Sequence, residues 1–310
     1  MKKFFALLIA ALLFVTTPAQ AAENIANVDN ADNAADLAGA TAEKFYATLP
    51  KAKGDYKSRQ RPIVIEGAMN TETEVLVRAL KNPVAYHDLN YLFVAGTYKN
   101  YPVVIVRTEQ GLTNVAASTT LAIKKFNPVA VINQGTAGGV IPSLPIGSIV
   151  IAEKSIPPSA LKSEYSAAGA GVDFTKQEMR GTYAYNETTK NFQPYKEYFA
   201  DKTLLNVAEK VAAAHKEFNV TNGTIGSADW WMCWVDYTNL LHERYGMITE
   251  EMETVSAAQI CQNAGVPFIG IRVISDNITI TDEYNPYSAK IAQDFVLLVV
   301  EDYIRDVLKK

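Results

Sequence analysis

Cysteine is scarce in this chain, with two among 310 residues, Cys233 and Cys261. Their separation in sequence is too wide for a zinc ligand pair. An oxidising compartment would permit a bridge, but Cys261 falls on an expected buried helix, where an unbridged thiol packs as a small apolar side chain. Two thiols are the expectation. The three histidines, His87, His215 and His242, stand apart and match no motif, which fits solvated or core roles better than catalysis. Positive charge is not in excess: 29 Lys and Arg against 33 Asp and Glu leave a net charge of −4, with the cations scattered rather than striped. That excludes nucleic acid as the natural partner. Nothing calls for a metal or a cofactor.

Apolar runs long enough to span a bilayer are missing as well. The run at the N-terminus, Phe4 to Val15, follows Met1-Lys2-Lys3 and precedes Thr16-Thr17-Pro18-Ala19-Gln20-Ala21. Two charges, a short apolar stretch and an Ala-x-Ala site make residues 1–21 a secretory signal peptide cleaved after Ala21. No cysteine follows at the place a lipoprotein signal would need one. The mature protein is therefore expected to be exported, periplasmic or secreted, with no stable membrane association.

What is present is enough apolar material for a large core, 48% of the chain. Residues 22–61 are rich in Ala, Asn, Asp and Lys and read as a tether with one short surface helix. From Pro62 onward, apolar β-branched runs bounded by Gly, Asn or Pro alternate with stretches of helical period, as in a sheet covered on both faces. Strands are expected at 63–68, 91–96, 103–108, 129–133, 148–152, 223–227, 247–250 and 268–274, and helices at 71–80, 113–126, 202–215, 254–264 and 289–309. The fold class is a single-domain three-layer α/β sandwich over residues 62–310, with a central mixed, mostly parallel sheet. Residues 156–198 are polar, rich in Tyr, Ser, Gly and Lys, and aperiodic. A segment that long is a lid, a binding loop or an oligomer contact.

Ligands of open α/β sheets bind beyond the carboxyl ends of the strands. Four such ends carry chemistry-bearing residues: Gly67-Ala68-Met69-Asn70-Thr71-Glu72, Asn133-Gln134-Gly135-Thr136-Ala137-Gly138-Gly139, Glu250-Glu251-Met252-Glu253 and Arg272-Val273-Ile274-Ser275-Asp276-Asn277. Singly they also fit a helix start, a glycine turn, a solvated acidic turn and an Asp turn. The glycine cluster is not a P-loop, because no lysine follows it. The adjacent acids sit in an apolar neighbourhood, where like charges are costly unless a ligand or cation compensates them.

The four motifs together, in this order and roughly this spacing, resemble the 5′-methylthioadenosine/S-adenosylhomocysteine nucleosidases of the nucleoside phosphorylase superfamily, from about Pro62 to the C-terminus. The resemblance implies hydrolysis of a purine nucleoside and a homodimer. By similarity Asp276, oriented by Ser275, would protonate or hydrogen-bond N7 of adenine. Glu253 would hold the ribose hydroxyls, with Glu251 beside it and Met252 packed on the sugar. Glu72 would take a proton from the attacking water, placed with the help of Arg272 and Thr136; the family usually has Ser at the latter position. In the segment Ser227-Ala228-Asp229-Trp230-Trp231-Met232-Cys233-Trp234, which departs from the family pattern, Trp231 falls where an aromatic stacks on the base and Met232 where a backbone reads its edge.

Two other readings stay open at this point. A phosphorolytic relative needs cations for phosphate, and those resembling the hexameric purine phosphorylases carry Gly-Asp-Pro-x-Arg after the first strand and an Arg two residues before the glycine matching Gly135. This chain has Asn70-Thr71-Glu72 and Asn133 there, and a carboxylate repels phosphate. A binding or storage protein of the same fold is the second alternative, against which stand Glu72, Glu253 and Asp276 together.

Overall fold

The computed structural model describes residues 31–281 and 283–309. The expected signal peptide lies outside the described residues, as do the first residues of the expected tether. In chain order the elements are α1 (Ala31–Ala47), β1 (Ile63–Gly67), α2 (Asn70–Ala79), β2 (Lys81–Asp88), β3 (Tyr91–Tyr98), β4 (Tyr101–Arg107), α3 (Leu112–Phe126), β5 (Ala130–Gly139) and β6 (Ile149–Ile156). The polar stretch then supplies β7 (Leu161–Ser163), β8 (Gln177–Met179), β9 (Thr182–Asn186), β10 (Asn191–Tyr195) and β11 (Tyr198–Phe199). The last part is α4 (Lys202–Ala214), β12 (Val220–Ser227), α5 (Val235–Tyr245), β13 (Met247–Glu251), α6 (Thr254–Ala264), β14 (Phe268–Asn277) and α7 (Ala289–Tyr303).

Alternation along each central strand builds two cores, one on each face of the sheet. Ile63, Ile65, Val103, Ile105, Ala130 and Ile132 pack against Leu76 and Val77 of α2, Leu204 and Val211 of α4, and Phe295, Val296 and Val299 of α7. Their neighbours Val64, Val104, Val106 and Val131 point the other way, against Val115 and Phe126 of α3 and Val255, Ala258 and Cys261 of α6. This is the three-layer α/β arrangement. Each fully buried Ile or Phe stabilises it by roughly 1.5–3 kcal/mol. Local signals end the helices where the sequence says they should: Asp201 accepts from the backbone N–H groups of Thr203 and Leu204 at the start of α4. Gly265, at φ 66°, closes α6 in a left-handed conformation that only glycine adopts freely.

The ten-stranded sheet is mixed. β4, β1, β5 and β14 run parallel to one another in that order, and β6, β12 and β13 form a second parallel set. The two sets meet antiparallel, where β14 pairs with β6 and the end of β5 with β13. β2, β3 and β4 form an antiparallel meander at one side. Parallel pairing is thus less dominant than the alternation of helices and strands implied. β2 contains Pro83 and reads poorly as a strand, yet it pairs at the edge of the sheet, the place that tolerates proline.

The one short surface helix expected in residues 22–61 is α1, of 17 residues, and the chain after it enters the core through Leu49. Tyr46 donates its hydroxyl to Thr73 at 2.7 Å and Arg78 lies over the Phe45 ring at 3.7 Å, which fixes α1 on α2. The polar stretch 156–198 forms two antiparallel hairpins, β7 with β8 and β9 with β10, while β11 extends the large sheet along β6. The first hairpin is held to α5: Arg244 donates to the carbonyls of Gln177 and Thr175, and Phe174 packs between Trp234 and Tyr237. Among the described residues no helix is long and apolar enough to cross a membrane. No disulfide joins the cysteines: Cys261 is buried and Cys233 exposed.

Candidate active site

The carboxyl ends of β1, β5, β12, β13 and β14 converge, and each brings one of the motifs. β1 ends at Gly67 and the chain turns into α2, whose first turn carries Glu72. Although its carboxylate is only 3% exposed, four donors meet it. One oxygen accepts from the backbone N–H and the hydroxyl of Thr136, at 2.8 and 2.9 Å, and the other from the N–H groups of Ala68 and Met69, at 2.8 and 3.2 Å. Gln134 fixes the same turn by donating to the Glu72 carbonyl at 2.7 Å.

The glycine cluster is not a loop. β5 runs straight through it, because its second half pairs with β14 on one side and β13 on the other. Gly135 and Gly138 therefore lie inside the sheet, and each leaves room for a carboxyl. A methyl group on Gly135 would sit 2.8 Å from Glu72 Oε1; on Gly138 it would sit 2.7 Å from Glu250 Oε1 and 3.2 Å from Asp276 Oδ2. Gly135 has no unusual backbone angle, so Gly135→Ala strains nothing except the Glu72 carboxylate. Displacement of a reacting group by about 1 Å costs roughly 10²-fold in rate. Gly135→Ala is expected to lose at least tenfold in kcat while its melting temperature stays within a few degrees of the parent, a split read by steady-state base release and a thermal melt.

Asp276 is aimed by a bulge. The β14 register slips between Ile274 and Asp276 against β5, so Ser275 is the extra residue, and such irregularities re-aim side chains next to active sites. Ser275 Oγ lies 2.7 Å from Asp276 Oδ1 and 3.2 Å from the Ala137 carbonyl. Glu253 sits past the end of β13, buried, and accepts from the N–H of Gly111 at 3.0 Å. Asp229 accepts from the N–H of Leu112 at 2.7 Å, so both acids hold the loop between β4 and α3. Met252 is half-buried between Glu251 and Glu253.

Arg272 and Glu251 form a buried ion pair. The guanidinium is 1% exposed and donates through Nε to Glu251 at 3.0 Å and through Nη2 to Glu251 and to Asn133 Oδ1, the latter at 2.6 Å. Glu251 accepts in addition from Ser227 Oγ and from the N–H groups of Glu253 and Thr254, at 3.0 and 2.9 Å. It thereby caps α6 and anchors Arg272. Through these bonds Arg272 fixes Glu251 and Asn133, while its Nη1 donates to the Ile271 carbonyl at 3.3 Å. Its nearest approach to a site carboxylate is 3.8 Å, to Glu253. Asn133 continues the network by donating to Glu66 at 3.0 Å, and Thr119 completes it at 2.8 Å.

The tryptophans divide. Trp230 stacks on Tyr237 and meets Trp234 edge-on in the core cluster under the first hairpin. Trp231 is 52% exposed and meets Tyr284 edge-on at 6.1 Å, while Met232 is buried and its N–H points to Glu250 at 3.4 Å. Tyr284, which no sequence motif marks, lies near Thr136 and close enough to Glu72 and Asp276 for both to raise its hydroxyl pKa, after burial, which acts most strongly. A cavity of about 440 Å³ opens beside it, lined by Met69, Asn70, Arg107 and Gln110 and reaching Gly39 and Glu43 of α1. Among the described residues no group of His, Cys, Asp and Glu is arranged to hold a metal ion. His242 is tied to the Met247 carbonyl and His215 to Glu217, both away from the site.

Burial gives these acids a common electrostatic signature. Glu66 is pushed up to about 7 by burial, against hydrogen bonds from Asn133 and Thr119. Burial and then the Asp276 charge push Glu250 up to about 8. Burial and the neighbouring Glu251 raise Glu253 as well, against the pull of Arg272. The folded protein thus holds protons that the unfolded chain releases near pH 4.5, and stability falls as pH rises wherever the native state binds more protons. Melting temperature is expected to drop by roughly 5–10 °C between pH 5.5 and 8.5 in scanning calorimetry. A flat or rising profile would show that these acids are ionised in the fold.

Comparison with known proteins gives the family and agrees with the fold. Residues 62–305 match the family model described as the phosphorylase superfamily. The chain is 31% identical over 241 residues to a 5′-methylthioadenosine/S-adenosylhomocysteine nucleosidase of Shewanella frigidimarina, covering 77% of this chain and 96% of that one. It is 32% identical over 215 residues to one of Anoxybacillus flavithermus, covering 69% and 84%. Among solved structures, the nucleosidase of Neisseria meningitidis in complex with methylthio-immucillin-A superposes with a TM-score of 0.63 at 22% identity, over 78% of this chain and 99% of that one. A futalosine hydrolase mutant of Helicobacter pylori gives 0.65 at 21%, over 78% and 100%.

Proposed function

Since the chain belongs to the phosphorylase superfamily and, within it, to the 5′-methylthioadenosine/S-adenosylhomocysteine nucleosidases, it is an N-glycosyl hydrolase, and we propose that it cleaves the ribosyl C–N bond of adenine nucleosides of that kind by the residues described above. The observation that carries the assignment of roles is the gathering of Glu72, Glu253 and Asp276 at or past the ends of strands that all pair with β5, with Glu72 held by four donors.

Cleavage of this bond needs a base that leaves as a neutral molecule, an electron-poor sugar that is stabilised, and a water made nucleophilic. Asp276, steadied by Ser275, delivers a proton to N7 of the purine. Glu253 takes the ribose hydroxyls, and the positive charge that develops on the sugar draws out its ionised form, so that a carboxylate faces the oxocarbenium in the transition state. Glu72 removes a proton from water on the other side of C1′. Arg272 holds Glu251, and through it the backbone of Glu253, in place. Met252 lies along the sugar, Thr136 orients Glu72, and Trp231 with the backbone of Met232 borders the base. The cavity beside Met69 receives the 5′ side of the nucleoside.

Water rather than phosphate is the nucleophile in this reading because Glu72 stands where phosphate would sit, and Asn133 spends its amide on Glu66 and Arg272. The N-terminal segment, with its short apolar run and Ala-x-Ala site, supports export to the periplasm or medium. A homodimer follows from the likeness to the family. Incubating the purified protein with methylthioadenosine, S-adenosylhomocysteine and adenosine, and following free adenine, tests the assignment. Release from at least one is expected, and release from none would favour a binding role.

A further inference from the structure

Glu250 is a buried carboxyl at the strand ends to which the reaction above gives no work. It occupies the β13 position paired with Gly138 of β5, and Asp276 occupies the β14 position paired with the same glycine from the other side. Because Gly138 has no side chain, both carboxyls lean into the space over it, Glu250 Oε1 and Asp276 Oδ2 being the nearest atoms to where a methyl group would stand. The other oxygen of Glu250 is directed to the N–H of Met232, the segment that borders the base.

We propose that Glu250 is a specificity-determining residue that meets the substituent on C6 of the purine and lets the site accept 6-oxo as well as 6-amino bases. This rests on the reading that places Asp276 at N7. On a purine the C6 substituent is the neighbour of N7 on the same edge, so a carboxyl beside the N7 carboxyl and turned toward the base-bordering backbone faces that substituent. Burial disfavours the ionised form of Glu250, and a charge on Asp276 across the same glycine disfavours it further, so Glu250 keeps its proton whether or not Asp276 has given its own to the base. A neutral carboxyl is both donor and acceptor: its carbonyl oxygen accepts from a 6-amino group, and its hydroxyl donates to a 6-oxo group. A carboxylate can only accept, and so it rejects the oxo base. Asp276 from β14 and Glu251 and Glu253 from its own strand end are the acids around Glu250, and all three favour its neutral form after burial itself.

The test is the ratio of kcat/KM for inosine to that for adenosine, measured from pH 6 to 9 in the parent, Glu250→Gln and Glu250→Leu. Taking a ratio cancels the titration of Asp276 and Glu72, which both substrates share. In the parent the ratio is expected to fall at least tenfold as pH rises through about 8. In Glu250→Gln, whose amide donates and accepts at every pH, it stays flat. Glu250→Leu, if it folds, loses inosine cleavage at least tenfold. A parent ratio that does not move with pH, or moves equally in Glu250→Gln, while adenine is still released, overturns the inference and leaves the Asp276 assignment standing. Release of no base from either nucleoside overturns both.

Discussion

Asp276→Asn is expected to lower kcat for adenine release by roughly 10²–10⁴-fold, the usual contribution of a positioned general acid, with KM changed only a few-fold. Asparagine keeps the size of the side chain and an acceptor for Ser275 Oγ, so the bulge and the strand pairing survive. What it loses is the proton. Melting temperature is therefore expected to stay within a few degrees of the parent. A variant that keeps parental kcat would remove Asp276 from proton delivery, and steady-state release of the base with a parallel melt reads both quantities.

Glu72→Gln is expected to be equally slow and, unlike the first variant, less stable. The carboxylate accepts four hydrogen bonds, two at each oxygen. An amide has one oxygen, so its NH₂ group must face two donors of the protein. Each buried donor left without an acceptor costs about 1–3 kcal/mol, and loss of the base costs roughly 10²–10⁴ in kcat. The pairing of a slow enzyme with a melting temperature lowered by several degrees distinguishes Glu72 from Asp276. Parental stability would mean that the four donors find other partners, and parental kcat that water is activated elsewhere.

Both variants rest on residues legible in the sequence, and the reason is physical. Continuous apolar runs such as Ile63–Ile65 and Val103–Val106 leave few architectures other than a sheet covered on both faces, and ligands of such sheets gather at the carboxyl ends of the strands. Glu72, Glu253 and Asp276 are each a few residues past an apolar strand, and so they could be found. The partners of Arg272 could not. Its neighbours Glu251 and Asn133 lie 21 and 139 residues away in sequence, and only the pairing of β14 with β5 brings Asn133 to it.

The same reason explains the other departures. A glycine-rich segment reads locally as a turn, yet Gly135–Gly139 is a strand because β13 and β14 supply its hydrogen bonds. Tyr284 follows β14 in an irregular stretch with no period to mark it. Glu250 was visible as one of three acids in a run of four residues, and the alternation of β13 already sends it to the opposite face from Glu251. The role of either face became apparent only with Gly138 between Glu250 and Asp276. In the polar stretch 156–198 the hairpins are short, and their anchors, Arg244 and Tyr237, come from a helix some sixty residues further on.

The central claim, hydrolysis at the site built on Glu72 and Asp276, is tested most directly by the fate of the sugar. Methylthioadenosine is incubated with the enzyme in ¹⁸O-labelled water containing phosphate, and the sugar product is weighed by mass spectrometry. The account predicts free sugar carrying one ¹⁸O at C1. Unlabelled sugar 1-phosphate would contradict it.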